Sequence, residues 1–272
     1  MQEIASKLRR EGKRIGLVPT MGALHLGHMS LAVAAKEECD VVVVSDFVNP
    51  TQFAPGEDYD KYPRTLDADV TLLQQIEVDY VFAPSPAEMY PAGYDVKVHV
   101  GGVTELLEGA FRPTHFDGVA TVVLKLFNTT QADVAYFGQK DYQQTLVVRK
   151  MVRDLNLPIE IVVCPIIRER DGLALSSRNQ YLSSTERQEA LVLNRALEKA
   201  EELIRAGERE ALVVTDAMRA IIATAPSAKI DYAYIGDPES LAELSRLAGD
   251  VVVLLAVRVG ATRLIDNRVI RK

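Results

Sequence analysis

Two histidines separated by a leucine and a glycine, His25 and His28 around Leu26 and Gly27, stand between a short apolar run at 14–18 and a helical pattern at 29–38. A strand-to-helix turn presents free backbone N–H groups and the positive end of a helix dipole, a setting that favours phosphate. Gly27 lets a ligand approach the backbone closely. Gly22 and Gly27 have the glycine spacing of a P-loop, but His28 and Met29 occupy the positions where that loop needs Lys and then Ser or Thr. No Gly-x-Gly-x-x-Gly occurs, so a dinucleotide fingerprint is excluded. The chemistry left is a nucleotide site that uses His rather than Lys beside the phosphates.

The elements that must position these imidazoles follow from the alternation of Val/Ile-rich runs with helical patterns. Strands are expected at 14–18, 40–47, 79–83, 96–100, 133–137 and 159–164, and helices at 2–11, 27–38, 65–77, 116–130 and 141–156. Continuous apolar runs such as 41–44 suit a parallel sheet covered on both faces. The pattern predicts a doubly wound, Rossmann-like α/β domain whose ligand crevice lies at the carboxyl ends of its strands. The His25/His28 turn, the loop 46–53 and the loop 138–141 all fall at such ends. Beyond about residue 168 the texture changes to a polar loop at 173–179, a long charged helix at 184–206, a second helix at 208–223 and strands at 229–235, 250–258 and 263–267. The expected organisation is a domain at 1–167 and a smaller C-terminal α/β domain at 168–272, hinged near 166–183.

Composition narrows the partners. A chain of 272 residues with 48% apolar and 25% charged residues is an ordinary globular protein, and no apolar run reaches bilayer length. The N-terminus lacks a signal-peptide apolar region, so a cytoplasmic location and no membrane partner are expected. A net charge of −7 without a dense Lys/Arg cluster argues against nucleic acid and for small-molecule substrates. Cys39 and Cys164 lie in apolar runs and read as small buried hydrophobes, neither a disulfide nor a metal site.

Six ordered motifs carry a resemblance over essentially the whole length. They are 19–28 (PTMGALHLGH), 47–53 (FVNPTQF), 62–64 (YPR), 112–119 (RPTHFDGV), 136–144 (YFGQKDYQQ) and 175–179 (LSSRN). The chain resembles the pantoate–β-alanine ligases of the His-x-Gly-His nucleotidylyltransferase superfamily. Leu175 stands where that family often has Met, and the lead-in before the first strand is a little short. The resemblance implies a two-step ligation, in which pantoate and ATP give pantoyl-adenylate and pyrophosphate, and β-alanine then displaces AMP to give pantothenate. It also implies a homodimer, and Mg²⁺ that arrives on ATP phosphates with no dedicated protein ligand.

The same resemblance assigns ATP to Pro19, Met21, Gly22, Ala23, Leu24, His25, Leu26, Gly27 and His28, to Gly138, Gln139, Lys140 and Asp141, and to Ile167, Leu175, Ser176, Ser177 and Arg178. Within that set His25, His28, Lys140, Ser176, Ser177 and Arg178 are the expected catalytic groups. His28 would stabilise charge by hydrogen bonding first and transfer a proton second. Lys140 would place a point charge near the α-phosphate and pantoate, and the Ser176–Arg178 segment would take β- and γ-phosphate oxygens. Asp141 reads equally well as an adenosine contact or as a helix N-cap. Gln52, Gln144 and Asn49 are assigned to pantoate, with the motif alone choosing Gln144 over Gln143. Met21, Phe53 and Val119 are candidates to pack on its methyl groups. Arg112 and His115 read as a structural network, His99 as structural within a strand, and 57–60 as a solvated acidic loop. The alternative is another His-x-Gly-His nucleotidylyltransferase acting on a phosphorylated acceptor, which would need extra Arg or Lys and no glutamine pair.

Overall fold

A computed structural model describes residues 1–272, which divide into two compact units, Met1–Pro165 and Ile166–Lys272. In the first unit α1 (Gln2–Arg10), β1 (Ile15–Thr20), α2 (Leu26–Glu38), β2 (Val41–Asp46), α3 (Leu66–Gln74), β3 (Tyr80–Phe82), α4 (Pro86–Met89), α5 (Glu108–Phe111), α6 (His115–Thr130), β4 (Val134–Gly138), α7 (Tyr142–Asp154) and β5 (Glu160–Cys164) follow one another. The five strands form one sheet in the order β3-β2-β1-β4-β5, with every neighbouring pair parallel. This is the doubly wound order, which reverses direction at β1 and β4.

Side-chain alternation explains why both faces are covered. Ile15, Leu17, Val41, Val43, Ala135 and Phe137 share a core with Ala5 and Leu8 of α1, Phe116 and Val119 of α6, and Val147 and Val148 of α7. The intervening residues Val18, Val42, Val44, Val134 and Tyr136 pack with Leu31, Ala32 and Ala35 of α2 and Leu73 of α3. Cys39 and Cys164 are free thiols buried in that second core. No helix is long and apolar enough to cross a membrane.

The second unit contains α8 (Ser184–Glu189), α9 (Val192–Arg205), α10 (Ala211–Ile222), β6 (Ala228–Gly236), β7 (Val251–Val259) and β8 (Thr262–Ile270). Its strands form an antiparallel sheet in the order β6-β7-β8. Leu193, Leu197, Val214, Met218 and Ile222 of the helices pack on Val251, Val253, Leu255 and Val257 of β7.

Two expectations fail for identifiable reasons. Residues 96–100 form no strand. They lie along α6, where the Val98 N–H donates to Thr121 Oγ1 at 2.9 Å, so their alternating polarity reflects one side laid on a helix rather than a sheet. The single helix expected over 184–206 is interrupted after Glu189. There Glu189 Oε2 accepts the Ser227 N–H at 2.9 Å and the Ser227 hydroxyl, a tertiary anchor that local periodicity cannot register.

Candidate active site

The β1–α2 turn is closed by its own histidines. His25 is the N-cap of α2, and its Nδ1 accepts the Gly27 N–H at 3.1 Å. His28 reaches back, its Nδ1 accepting the His25 N–H at 3.3 Å. The two rings lie 4.1 Å apart between centroids. This is a capping box built from imidazoles. It corrects the expectation of free backbone donors, because the Gly27 and His25 N–H groups are consumed inside the turn. Since each Nδ1 accepts, each proton sits on Nε2, and the turn offers two Nε2–H donors instead. Burial, reinforced by the charge of Lys140 and opposed by Asp141, lowers His25 to about 4. Burial together with His25 and Lys140, again opposed by Asp141, lowers His28 to about 3. Both rings are therefore neutral donors near neutral pH.

The chain entering this turn is held from below. Asp69 of α3, 2% exposed, accepts the Ala23 N–H (2.9 Å), the Leu24 N–H (2.8 Å) and the Thr65 hydroxyl (2.9 Å). Gly22 and Ala23 both have positive φ, +74° and +51°. A Cβ on Gly22 would come within 2.4 Å of Asp46 Oδ1, so glycine is required there on two counts. Leu26, by contrast, is 71% exposed.

Asp46, at the end of β2, abuts Asp69, and its Oδ2 is sealed with no partner. Burial first, then the charge and contact of Asp69, raise its carboxyl from 3.8 to about 6. A raised carboxylate pKa means that the native state binds the proton more tightly than the unfolded chain. Its stabilising effect is complete below the unfolded value and is lost as pH climbs through the folded one. Asp46→Asn removes that loss. Urea unfolding is expected to show the variant more stable by about 1 kcal/mol near pH 8, the full shift being discounted for partial solvent screening. Near pH 4 the gain vanishes, because wild-type Asp46 is then protonated. A variant equally or less stable than wild type at both pH values would refute the carboxyl pair.

Lys140 and Asp141 form a 3-10 turn leading into α7 and pair with each other at 3.5 Å. Their charges act on both imidazoles, Lys140 lowering and Asp141 raising their pKa. Asp141 occupies the N-cap position of α7 without making a side-chain capping bond, which removes the capping alternative.

The third loop of the sheet edge holds Asn49, Gln52 and their supports. Asn49 is 1% exposed. Its Oδ1 accepts from the Thr51 N–H (3.3 Å), the Thr51 hydroxyl (3.0 Å) and the Tyr90 hydroxyl (2.7 Å). Its Nδ2 donates to Gln52 Oε1 (2.9 Å) and the Gly118 carbonyl (3.2 Å). Asn49 is thus engaged through both ends of its amide and supports Gln52 directly. Gln52 keeps its Nε2 group uncommitted within the protein. Gly118 is required because a Cβ there would lie 2.3 Å from the Thr51 carbonyl oxygen.

Arg112 and His115 form the structural network expected of them. Arg112 binds Glu57 through both carboxylate oxygens (2.7 and 2.6 Å) and the Gln52 carbonyl (3.1 Å). His115 Nδ1 donates to the same carbonyl at 3.0 Å, and Arg112 donates to its Nε2 at 3.3 Å. Burial and the neighbouring Arg112 lower His115 to about 4. Glu57 is therefore a structural ion-pair partner, not part of a merely solvated loop. His99 is 70% exposed and pairs with Asp117 Oδ1 at 2.9 Å outside any strand.

Of the adjacent glutamines, Gln143 is buried. It accepts the Glu108 N–H (3.0 Å) and donates to the Val103 (2.7 Å) and Leu106 (2.8 Å) carbonyls. Gln144 is half-buried within α7, and its side chain, unlike that of Gln143, is not spent on the 103–108 backbone. Val119 is 1% exposed within the core, so it packs rather than lining a site. Phe53 stacks edge-on against Tyr59 and Tyr62, with centroids 5.3 and 5.9 Å apart.

In the second unit Ile167 accepts the Leu175 N–H at 3.0 Å. Ser176 caps the 3-10 turn Ser177–Tyr181, its Oγ accepting the Arg178 N–H at 3.3 Å. Asn179 Nδ2 ties this turn to the Ala174 carbonyl (3.0 Å) and to Glu169 (3.3 Å).

A doubly wound parallel sheet with paired imidazoles at the carboxyl end of β1 places the His-x-Gly-His turn at the edge where such sheets bind ligands. The family described as pantoate-beta-alanine ligase matches residues 1–269. The chain belongs to the pantoate–β-alanine ligase family and is an enzyme of that ligase class. It is 59% identical over 262 residues to a pantothenate synthetase of Moorella thermoacetica, covering 96% of this chain and 93% of the relative. A crystal structure of pantothenate synthetase from Thermus thermophilus superposes with a TM-score of 0.93 at 49% identity, covering 97% of this chain and 96% of that one. A pantoate-beta-alanine ligase from Francisella tularensis, complexed with beta-gamma ATP and beta-alanine, gives a TM-score of 0.80 at 37% identity, covering 98% and 94%.

Proposed function

We propose that the protein condenses pantoate with β-alanine in two steps at the cluster of His25, His28, Lys140, Gln52 and Gln144. A pantoate carboxylate oxygen attacks the α-phosphorus of ATP, and the bond to the bridging oxygen breaks, releasing pyrophosphate. The amine of β-alanine then attacks the acyl carbon of pantoyl-adenylate. AMP leaves with the electron pair of the acyl–oxygen bond, and the ammonium loses its proton to solvent. The observation that carries this reading is the pair of imidazoles whose Nδ1 atoms are both committed inside the turn, which leaves each Nε2–H as a donor.

Attack of an anion on a polyanion needs positioning and neutralisation more than covalent help from the protein. His25 and His28 supply donors to phosphate oxygens as negative charge moves toward pyrophosphate. Lys140 brings its charge to the α-phosphate and the incoming carboxylate. Gln52 and Gln144 recognise the hydroxy acid with uncharged amides, so an analogue lacking a hydroxyl leaves a buried amide unpaired. Ser176, Ser177 and Arg178 are assigned to the β- and γ-phosphate oxygens. Mg²⁺ accompanies ATP on those oxygens and needs few protein ligands. The beta-gamma ATP and beta-alanine in the Francisella tularensis relative support both substrate assignments. A homodimer is proposed on the family resemblance, and a cytoplasmic location as the default for a chain with no helix long and apolar enough to cross a membrane.

The test is pantoate-dependent exchange of labelled pyrophosphate into ATP, with Mg²⁺ and without β-alanine. Exchange demonstrates reversible adenylate formation. ATP binding without exchange removes pantoate as the acceptor and directs the search to phosphorylated alcohols.

A further inference from the structure

Tyr90 follows α4 and plays no part in the chemistry above, yet its side chain is held on every side. Its ring lies 6.3 Å from that of Phe47 and 5.1 Å from that of Tyr94. The Lys125 ammonium sits 5.7 Å from the Tyr90 centroid and 4.6 Å from the Tyr94 centroid, within cation–π range. So fixed, the phenol donates to Asn49 Oδ1 at 2.7 Å, the shortest of the three bonds that oxygen accepts.

The direction of each bond in this relay is settled by groups with only one role. The Thr51 backbone N–H can only donate, so the Asn49 atom facing it is the oxygen. The Gly118 carbonyl can only accept, so the atom facing it is the Asn49 amide nitrogen. That nitrogen also donates to Gln52, which must therefore turn its Oε1 inward. The Gln52 NH₂ is left as the group available to a ligand. Without a lock, a glutamine amide turns over readily and offers donor or acceptor alike.

We propose that Tyr90 is a positioning residue for hydroxy-acid recognition: its hydroxyl holds in place the Asn49 amide that Thr51 and Gly118 orient, and Asn49 holds Gln52 with its NH₂ as the only face offered to substrate. The inference rests on the assignment of Gln52 to pantoate. A donor-only face selects an acceptor oxygen on the substrate and rejects an analogue that lacks it. Tyr90 acts through Asn49 and Gln52, so it governs ground-state binding of one substrate and leaves ATP, β-alanine and the chemical steps alone.

Tyr90→Phe keeps the ring contacts and the cation–π pair and removes only the hydroxyl. Steady-state kinetics should show the pantoate KM raised about fivefold, the effect of one lost hydrogen bond. kcat and the KM values for ATP and β-alanine should stay within about twofold. Preference for pantoate over its deoxy analogues should fall in parallel. In a Gln52→Ala background the Tyr90→Phe effect should disappear. An unchanged pantoate KM in Tyr90→Phe, with Gln52→Ala strongly impaired, overturns the relay and leaves the Gln52 assignment standing. A Tyr90→Phe loss shared by all three substrates and by kcat also overturns it, in favour of a merely structural role. If Gln52→Ala itself leaves the pantoate KM unchanged, both the assignment and the relay fall.

Discussion

His28→Ala is expected to cut pantoate-dependent pyrophosphate exchange by about 100- to 1,000-fold, the usual cost of deleting one preorganised donor to developing negative charge. Two effects are combined in that substitution. The imidazole is a donor through Nε2, and it is also the third helical residue whose Nδ1 accepts the His25 N–H. Losing the second function loosens the cap of α2 by about 1 kcal/mol and frees the His25 ring to tilt. His28→Gln separates the two, because glutamine at this position closes a capping box while its amide cannot occupy the place of the ring Nε2. The glutamine variant should regain the melting temperature lost by alanine while exchange stays at least tenfold below wild type. Burial holds the unliganded ring neutral, its value lowered to about 3, so the effect belongs to hydrogen bonding and not to a resident proton. Exchange within a factor of two of wild type in either variant would remove His28 from the reaction.

Why that residue was legible while its supports were not is a matter of sequence distance. The His25/His28 turn announces itself because a scarce residue type recurs at the junction of two hydrophobic periods, and both the strand and the helix are local. The all-parallel sheet was legible for the same reason: Val41–Val44 and Val134–Phe137 are buried on both sides, which leaves an unbroken apolar run. Asp69, which fixes the Ala23 and Leu24 amides, lies more than forty residues away on a helix whose pattern marks it only as polar. Arg112 and His115, which hold the Gln52 carbonyl, are likewise far from it in sequence, and Tyr90 meets Asn49 across another such gap. Such pairs leave no periodic trace, because each partner alone looks like an ordinary surface residue. The false strand at 96–100 is the converse case, a period of two produced by a segment resting on α6.

Asp266→Ala is expected to destabilise the second unit by about 3–5 kcal/mol, because it strands the charge of Arg168. Asp266 is 2% exposed, and its two oxygens accept from both terminal nitrogens of Arg168 at 2.6 and 2.9 Å. Arg168 also donates to the Gly172 carbonyl at 3.1 Å and bridges to Ala174 across the base of the 168–174 turn. The Ser176–Arg178 segment continues directly from that turn, so the ion pair anchors the residues assigned to the terminal phosphates. Calorimetry should place the unfolding midpoint about 10 °C or more below wild type. The ATP KM should rise with it, while exchange at saturating ATP falls less. The double variant Arg168→Met with Asp266→Leu discriminates between two causes. Replacing both partners by apolar groups removes the unpaired charge, so it should recover most of the lost stability. It does not restore the donor to Gly172, so the ATP KM should remain raised. A single variant that loses less than about 1 kcal/mol would mean that water already satisfies Arg168. A double variant as unstable as the single would mean that the contact geometry, not the stranded charge, carries the anchor.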